Sequence, residues 1–463
     1  MKTFAPHIIA GLALSIASCT THNSESSSSL NLERSTVELT CSPMIGHVSM
    51  RGASVWAQAT GPDVALNLHV SPSNGNQETL VTAGTTSDIF HTVTFDIGGL
   101  EPGTTYKSWI DHLGRTISDT IRFTTQPLWD FRTDPPPFKV ITGSCAYINE
   151  PEYDRPGDGY GGDYQIFEAM ADENPDMMLW LGDNVYLREV DFQSIHGYAH
   201  RYSHMRATPE MQNLLCACPH YAIWDDHDFG PNDCDGSWVH QDWAQQAFES
   251  FWANPTYGVP NRVHGIATAF RFIDMDFFLL DNRTHRVNHH MKTAEPQMLG
   301  QHQIDWLIEA LRGSRAPFKF VAVGGQVVSD AAIYENMAQF PEERDALLSR
   351  IDEEGIRGVV FLTGDRHNTE LSRIELPNGG LVYDLTASPM TSGSYDHTDE
   401  PNHHRVDGSM VGVRNYAALS FTGSRKDRKC DIEIRDSAGE LIWTYTLAAK
   451  DWAEANQSSS VSK

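Results

Sequence analysis

The sequence predicts two folds in series, a small all-β sandwich followed by a larger α/β domain. Three observations carry this. Residues 35–126 read as short strands separated by turn signals. From Phe138 onward, apolar runs of strand length alternate with helix-like segments. Between the two stands Asp134-Pro135-Pro136-Pro137, a stiff run that marks the best boundary in the chain. A length of 463 residues suits two or three units, and 40% hydrophobic with 21% charged residues is an ordinary globular balance.

The N-terminus reads as a targeting segment. Lys2 supplies a short positive region, and Ile8 to Ala17 is an apolar run too short to cross a bilayer as a finished helix. It ends Ile16-Ala17-Ser18-Cys19, which resembles the lipobox of bacterial lipoproteins. Residues 1–18 are therefore expected to be a lipoprotein signal peptide, with Cys19 acylated and residues 19–34 a Ser-rich tether. The expected location is a membrane-anchored one facing the periplasm or the cell exterior. The other six cysteines, Cys41, Cys145, Cys216, Cys218, Cys234 and Cys430, show no framework spacing and no C-x-x-C knuckle.

Within residues 35–126, Val55 to Ala59, Val64 to Val70, Val93 to Ile97 and Thr120 to Thr124 predict strands, and Ser73-Asn74-Gly75-Asn76 predicts a turn. The run Gly98-Gly99-Leu100-Glu101-Pro102-Gly103-Thr104-Thr105-Tyr106 resembles the corner of fibronectin type III-like sandwiches. That resemblance implies that the Tyr106 hydroxyl ties the corner down. No cluster of catalytic residue types falls here, so a structural or positioning role is expected. Residues 127–137 form the Pro-rich linker.

Residues 138–450 carry the α/β grammar, and 451–463 read as a polar tail. Each apolar run ends in polar or glycine-containing residues. Phe138 to Thr142 leads into Gly143-Ser144-Cys145, Met177 to Leu181 into Gly182-Asp183-Asn184, and Tyr221 to Trp224 into Asp225-Asp226-His227-Asp228. Phe277 to Leu280 leads into Asp281-Asn282-Arg283, Phe318 to Val323 into Gly324-Gly325-Gln326, and Val359 to Leu362 into Thr363-Gly364-Asp365-Arg366-His367. Tyr164 to Ala171, Asp242 to Trp252 and Gln301 to Arg312 read as helices. Strands alternating with helices place the site at the strand ends.

Charge narrows the function. Acidic residues number 61 against 34 basic ones, a formal charge of −27, or −28 once residues 1–18, with Lys2 their only charged side chain, are removed. This argues against a basic nucleic-acid groove, and no stable nucleic-acid complex is expected. It also argues against adhesion to anionic lipid through a polybasic patch. An anionic substrate needs a local positive centre here. Asp183, Asp226 and Asp365 would crowd at one sheet edge, and metal ions are the cheapest compensation.

The strand-end motifs together resemble the alkaline phosphatase D family of the calcineurin-like metallophosphoesterases, over roughly residues 138–450. The resemblance implies mixed β-sheets packed with helices, and an iron site beside calcium, Fe³⁺ and Ca²⁺. It implies Asp183 as the bridging carboxylate, with Cys145, Tyr186 and Asp365 as iron-site ligands. Thiolate and phenolate suit Fe³⁺, whereas calcium takes only oxygen. Asp226 and Asn232 match calcium ligands. His227 either contacts substrate or orients Asp226, and His367 is either a ligand or a substrate contact. Arg283 is a phosphate fork in this reading and a salt-bridge partner in the plainer one. The third motif, Asp-His-Asp-Phe-Gly-Pro-Asn-Asp, departs from the familiar Asp-His-Glu pattern, so the loop around Asn232 is of a different build.

The expected reaction is hydrolysis of phosphate monoesters by water activated on the metals, with phosphorylated small molecules or phosphodiesters as partners. The alternatives are a phosphodiesterase or phospholipase D-like activity at the same site, and a surface binding protein without chemistry. A Cys145 hydrolase is disfavoured, because three aspartates would raise the thiol pKa. Gly-x-Ser-x-Gly and Walker motifs are absent. The segment Met390 to Arg414 is expected to form a loop over the site. Every candidate ligand lies beyond Pro137, so the later residues are expected to suffice for catalysis.

Overall fold

In a computed structural model, residues 37–75 and 79–452 are described. The signal, Cys19 and the tether lie outside them, as do residues 453–463 of the expected tail. Among the described residues no helix is long and apolar enough to cross a membrane.

The first strands are β1 (Met44–Val48), β2 (Gly52–Gln58), β3 (Ala65–Pro72), β4 (Leu80–Thr85), β5 (Thr92–Gly98), β6 (Thr105–His112), β7 (Arg115–Thr116) and β8 (Ile121–Thr124). They form two antiparallel sheets, β1-β2-β5 and β4-β3-β6-β7, with β8 beside β6. The Tyr106 hydroxyl accepts the Glu101 amide at 2.9 Å, so the corner is tied as its sequence implied. Alternation along β2 explains the packing. Val55 and Ala57 face the sandwich core, while Trp56 between them joins the core of the second half.

The second half begins with β9 (Phe138–Gly143), α1 (Ile166–Asp172), β10 (Met177–Leu181), α2 (Ile195–Arg206), α3 (Gln212–Ala217), β11 (His220–Ile223), α4 (Asp226–Phe229) and α5 (Gln241–Phe251). It continues through β12 (Thr268–Phe272), β13 (Met275–Leu279), α6 (Gln301–Gly313), β14 (Lys319–Val323), α7 (Pro341–Glu353) and β15 (Val359–Thr363). It closes with β16 (Glu370–Glu375), β17 (Leu381–Thr386), β18 (Asn415–Thr422), β19 (Lys429–Asp436) and β20 (Leu441–Ala448). Two six-stranded mixed sheets result, β11-β10-β9-β18-β19-β20 and β12-β13-β14-β15-β17-β16.

The sheets share one core. Phe320 of β14 meets Phe421 of β18 edge-on at 5.4 Å, and Phe138 of β9 lies 5.4 Å from Phe272 of β12. Again the period of two decides the faces. Phe320, Ala322, Val360 and Leu362 point into this core, whereas Val321, Val323, Val359 and Phe361 pack under α6 and α7. β9, β10 and β11 run parallel, as do β13, β14, β15 and β17. Their C-terminal ends therefore bring the polar motifs to one edge.

From Val37 onward the chain is one compact unit. The Pro136 carbonyl accepts from the buried Arg428 at 2.9 Å, so the proline run is docked. Trp452, at the start of the segment read as a polar tail, is buried and donates to the Leu381 carbonyl at 2.6 Å.

Candidate metal centre

Each site residue follows a strand, and four of them hold unusual backbone. Cys145, Asp183, Asp365 and His367 have φ of 62°, 49°, 66° and 55°. Left-handed backbone in non-glycine residues costs of order 1–3 kcal/mol and persists only where neighbours fix it. Here the strand ends latch one another. The Cys145 amide donates to Gly182, Ala146 to Asp183, and Gly364 to Gly324. The His367 amide donates to the Ser388 hydroxyl at 3.0 Å.

Asp183 is central and buried. Its Oδ2 accepts from the Tyr186 hydroxyl at 3.1 Å and faces Cys145 Sγ at 3.5 Å. Its Oδ1 accepts the His227 amide at 3.3 Å. The two oxygens thus turn to different neighbours, the arrangement a bridging carboxylate needs. On the first side, Tyr186 also meets His367 Nε2 at 3.1 Å, and Ser388 donates to Cys145 Sγ at 3.2 Å. Cys145, Asp183 and His367 offer ligand atoms within 4.8 Å of one another. On the second side, Asp183, Asp226 and His227 do the same, as do Asp225, Asp226 and Asp365. Asp365 therefore groups with the second side, while His367 takes the place beside Cys145 that the resemblance gave to Asp365.

The sequence of α4 explains how Asp226 is aimed. Asp225 caps the helix, and the Asp228 carboxylate accepts the Asp225 amide at 3.0 Å in a reciprocal capping box. Asp226 is left with Oδ2 on the Asp233 amide at 2.7 Å and Oδ1 without a donor. Gly324 is more than a turn residue. A Cβ there would fall 2.3 Å from Asp225 Oδ2 and 2.5 Å from Asn282 Nδ2.

One expectation changes. Arg283 is fully buried, with Nε on Asp225 at 2.6 Å, Nη2 on Glu335 at 2.5 Å and Nη1 on the Cys234 carbonyl at 3.0 Å. Its donors are consumed by carboxylates, so it is the salt-bridge partner and no free phosphate fork. Asn232 is exposed, as is its neighbour Asp233, which comes within 4.8 Å of Asp226 and Glu335. Glu335 and Ser388 were not foreseen. Both arrive on irregular segments, after β14 and β17, with no strand-end motif to mark them.

The electrostatics call for cations. Asp183 and Asp365 are pushed well above the carboxylate range, first by burial and then by Asp226 and Asp225 respectively. Burial also pushes the Cys145 thiol up to about 12 and brings His367 down to about 4. Buried Asp225 Oδ2, Asp226 Oδ1 and Asn282 Oδ1 have no donor. Unpaired buried acceptors beside crowded carboxylates are costly unless a cation completes them. These residues fit metal ions. Cys145, Tyr186, His367 and Asp183 would hold one, and Asp183, Asp226, His227 and Asp365 the other. The six described cysteines are unpaired thiols.

Two mixed sheets back to back, with metal-ligand types at the parallel strand ends, define the metallophosphoesterase fold. Solved structures agree. The structure of PhoD superposes with a TM-score of 0.71 at 17% identity, over 92% of this chain and 98% of that one. The purple acid phosphatase PPD1 of yellow lupin (Lupinus luteus) gives 0.65 at 13% identity, over 88% and 74%. The chain belongs to the PhoD-like phosphatase family, whose model matches residues 141–441. Alkaline phosphatase D of Bacillus subtilis (strain 168) is 21% identical over 333 residues, 62% of this chain. The match spans 55% of that relative, so this chain covers about half its length.

Proposed function

We propose that this chain is an exported, metal-dependent phosphoesterase whose first substrates are phosphate monoesters. The observation that carries the reading is the convergence of Asp183, Asp226 and Asp365 with Cys145, Tyr186 and two histidines, with buried carboxylate oxygens lacking donors. Family membership and the alkaline phosphatase D relative support the same reaction class.

Bound cations supply charge for phosphate oxygens and a water of lowered pKa. The chain's own residues do the rest. Thiol, phenol and imidazole at Cys145, Tyr186 and His367 suit Fe³⁺, and the oxygen-rich side around Asp226 suits Ca²⁺. Asp183 offers an oxygen to either side and would help hold both. Arg283 and Glu335 fix Asp225, which holds Asn282. His227 is set by its ring contact with Tyr186 at 4.2 Å, and His367 by Tyr160 Oη on Nδ1 at 3.0 Å. Burial lowers both imidazole pKa values, so each enters neutral and offers one N–H or one lone pair. His227, His367 and Asp365 are the half-buried members, which puts the opening to solvent on their side.

The test is phosphate release from a monoester by the metal-loaded full chain and its Asp183→Asn variant, with a diester offered in parallel. Release should fall at least a hundredfold in the variant, because a partner of both metals is weakened. Wild-type activity that survives in Asp183→Asn would contradict the assignment. Anchorage through Cys19 belongs to the same proposal. Cys19→Ser should move the protein from the detergent phase to the aqueous phase, and a wholly aqueous wild type would end that part.

A further inference from the structure

Outside the metal cradle, the feature with least structural reason is a row of exposed aromatic rings leading away from His367. Tyr395 stacks parallel to His367, centroids 6.0 Å apart and planes 12° apart. His397 follows at 6.1 Å from Tyr395, and Tyr334 at 6.1 Å from His397. Tyr160, on the other side, donates to or accepts from His367 Nδ1 at 3.0 Å. The three tyrosines are 37% (Tyr160), 63% (Tyr334) and 49% (Tyr395) exposed, so burial does not explain them.

Tyr334 is the most telling. It holds φ of 48°, a conformation that is a true outlier for a bulky side chain and that glycine would adopt freely. The ring is nonetheless built in place. The buried Arg366 guanidinium lies 4.4 Å from its centroid and is itself clamped by Glu400 at 2.6 Å. His397 is held by the same carboxylate at 2.8 Å. Arg366 lies between Asp365 and His367, so one strand-end segment supplies both the metal cradle and the support of the ring. Ile333, Tyr334, His397 and Pro401 line an open groove of ≈ 650 Å³.

We propose that this row is the leaving-group subsite, and that it takes a planar aromatic group, such as the base of a nucleoside, esterified to the phosphate. The inference rests on the phosphoesterase reading above. Exposed aromatic rings that lead from His367 outward favour a flat ring by stacking and give a short polyol nothing to hold. Asp396 and Asp399 also line the groove, which disfavours leaving groups that carry further phosphates.

The experiment compares a nucleoside 5′-monophosphate with glycerol 1-phosphate, both esters of a primary alcohol, on the metal-loaded full chain. Wild type should prefer the nucleotide in kcat/KM. Tyr334→Ala should lower that preference about tenfold, the scale of one lost stacking contact, and Tyr334→Phe should restore it. A preference unchanged in Tyr334→Ala, with both esters still hydrolysed, overturns the subsite and leaves the phosphoesterase reading intact. Hydrolysis of neither ester by the metal-loaded wild type overturns both.

Discussion

Arg283 holds Asp225, Glu335 and, at 3.7 Å, Asp226, all of them buried, and it is the cation around which the acidic cluster folds. Arg283→Met is expected to cost about 3–5 kcal/mol, because it leaves buried charges uncompensated. Chemical denaturation of the metal-free protein measures that loss, and a change below about 1 kcal/mol, the scale of an exposed pair, would show that the ion pairs add little. The residue also marks where sequence reading ends. Cys145, Asp183, Tyr186, Asp226, Asp365 and His367 were legible because each follows an apolar run. Whether a donor is already spent was not, since the partner Glu335 lies 52 positions on. Asp233, next to Asn232, comes within 4.8 Å of Asp226, and nothing in the order of the loop residues marks it.

At the scale of elements, β11 joins the two halves of the molecule. The Tyr221 hydroxyl meets His47 Nδ1 at 3.0 Å and the Val48 amide at 3.3 Å on β1. One residue earlier, His220 is buried, with Nδ1 accepting from Trp180 Nε1 at 2.9 Å and Nε2 bonded to the Leu214 carbonyl at 2.9 Å. A proton on Nδ1 would face a donor, and burial brings its pKa down to about 3. The unfolded imidazole binds its proton near pH 6.5, so the unfolded state holds more protons between the two values. Stability from this residue is intact above pH 6.5 and falls as pH drops towards 3, by about 1.4 kcal/mol per pH unit at most. His220→Gln should flatten that acid slope in unfolding curves between pH 6.5 and 4.5, and an identical slope would contradict the assignment. The parallel strands were readable because they are continuous apolar runs. The antiparallel β16, β19 and β20 were not, because about half or more of their residues are not buried and their turns hide among the Ser, Gly and Asp of the connecting loops. Met390 to Arg414 does reach the site. Ser392 Oγ lies 3.5 Å from His367 Nε2, and the Tyr395 amide donates to the His367 carbonyl at 3.0 Å.

For the whole molecule, the sandwich keeps a core of its own and lends Met44, Trp56 and Phe90 to the core of the second half. Trp56 donates to the Ser250 carbonyl at 2.7 Å and packs on Phe251 at 5.8 Å, and Gln126 accepts the Ile273 amide at 3.0 Å. The sequence alone put every ligand after Pro137 and so promised an autonomous catalytic half. The structure adds the apolar surface that Trp56 and Phe90 cover. A chain starting at Asp134 is therefore expected to lose solubility or to melt at least 10 °C lower, since two buried aromatics are removed at about 3–5 kcal/mol each. An unchanged melting temperature would restore the autonomous reading. All of this turns on the strand-end cluster as a cradle for catalytic metals. It is tested most directly by counting metals in the purified full chain while following phosphate release before and after chelation. Iron together with calcium should be bound to the chain, and turnover should be lost to the chelator and regained on adding the metals back. A metal-free chain that hydrolyses phosphate esters equally well would contradict it.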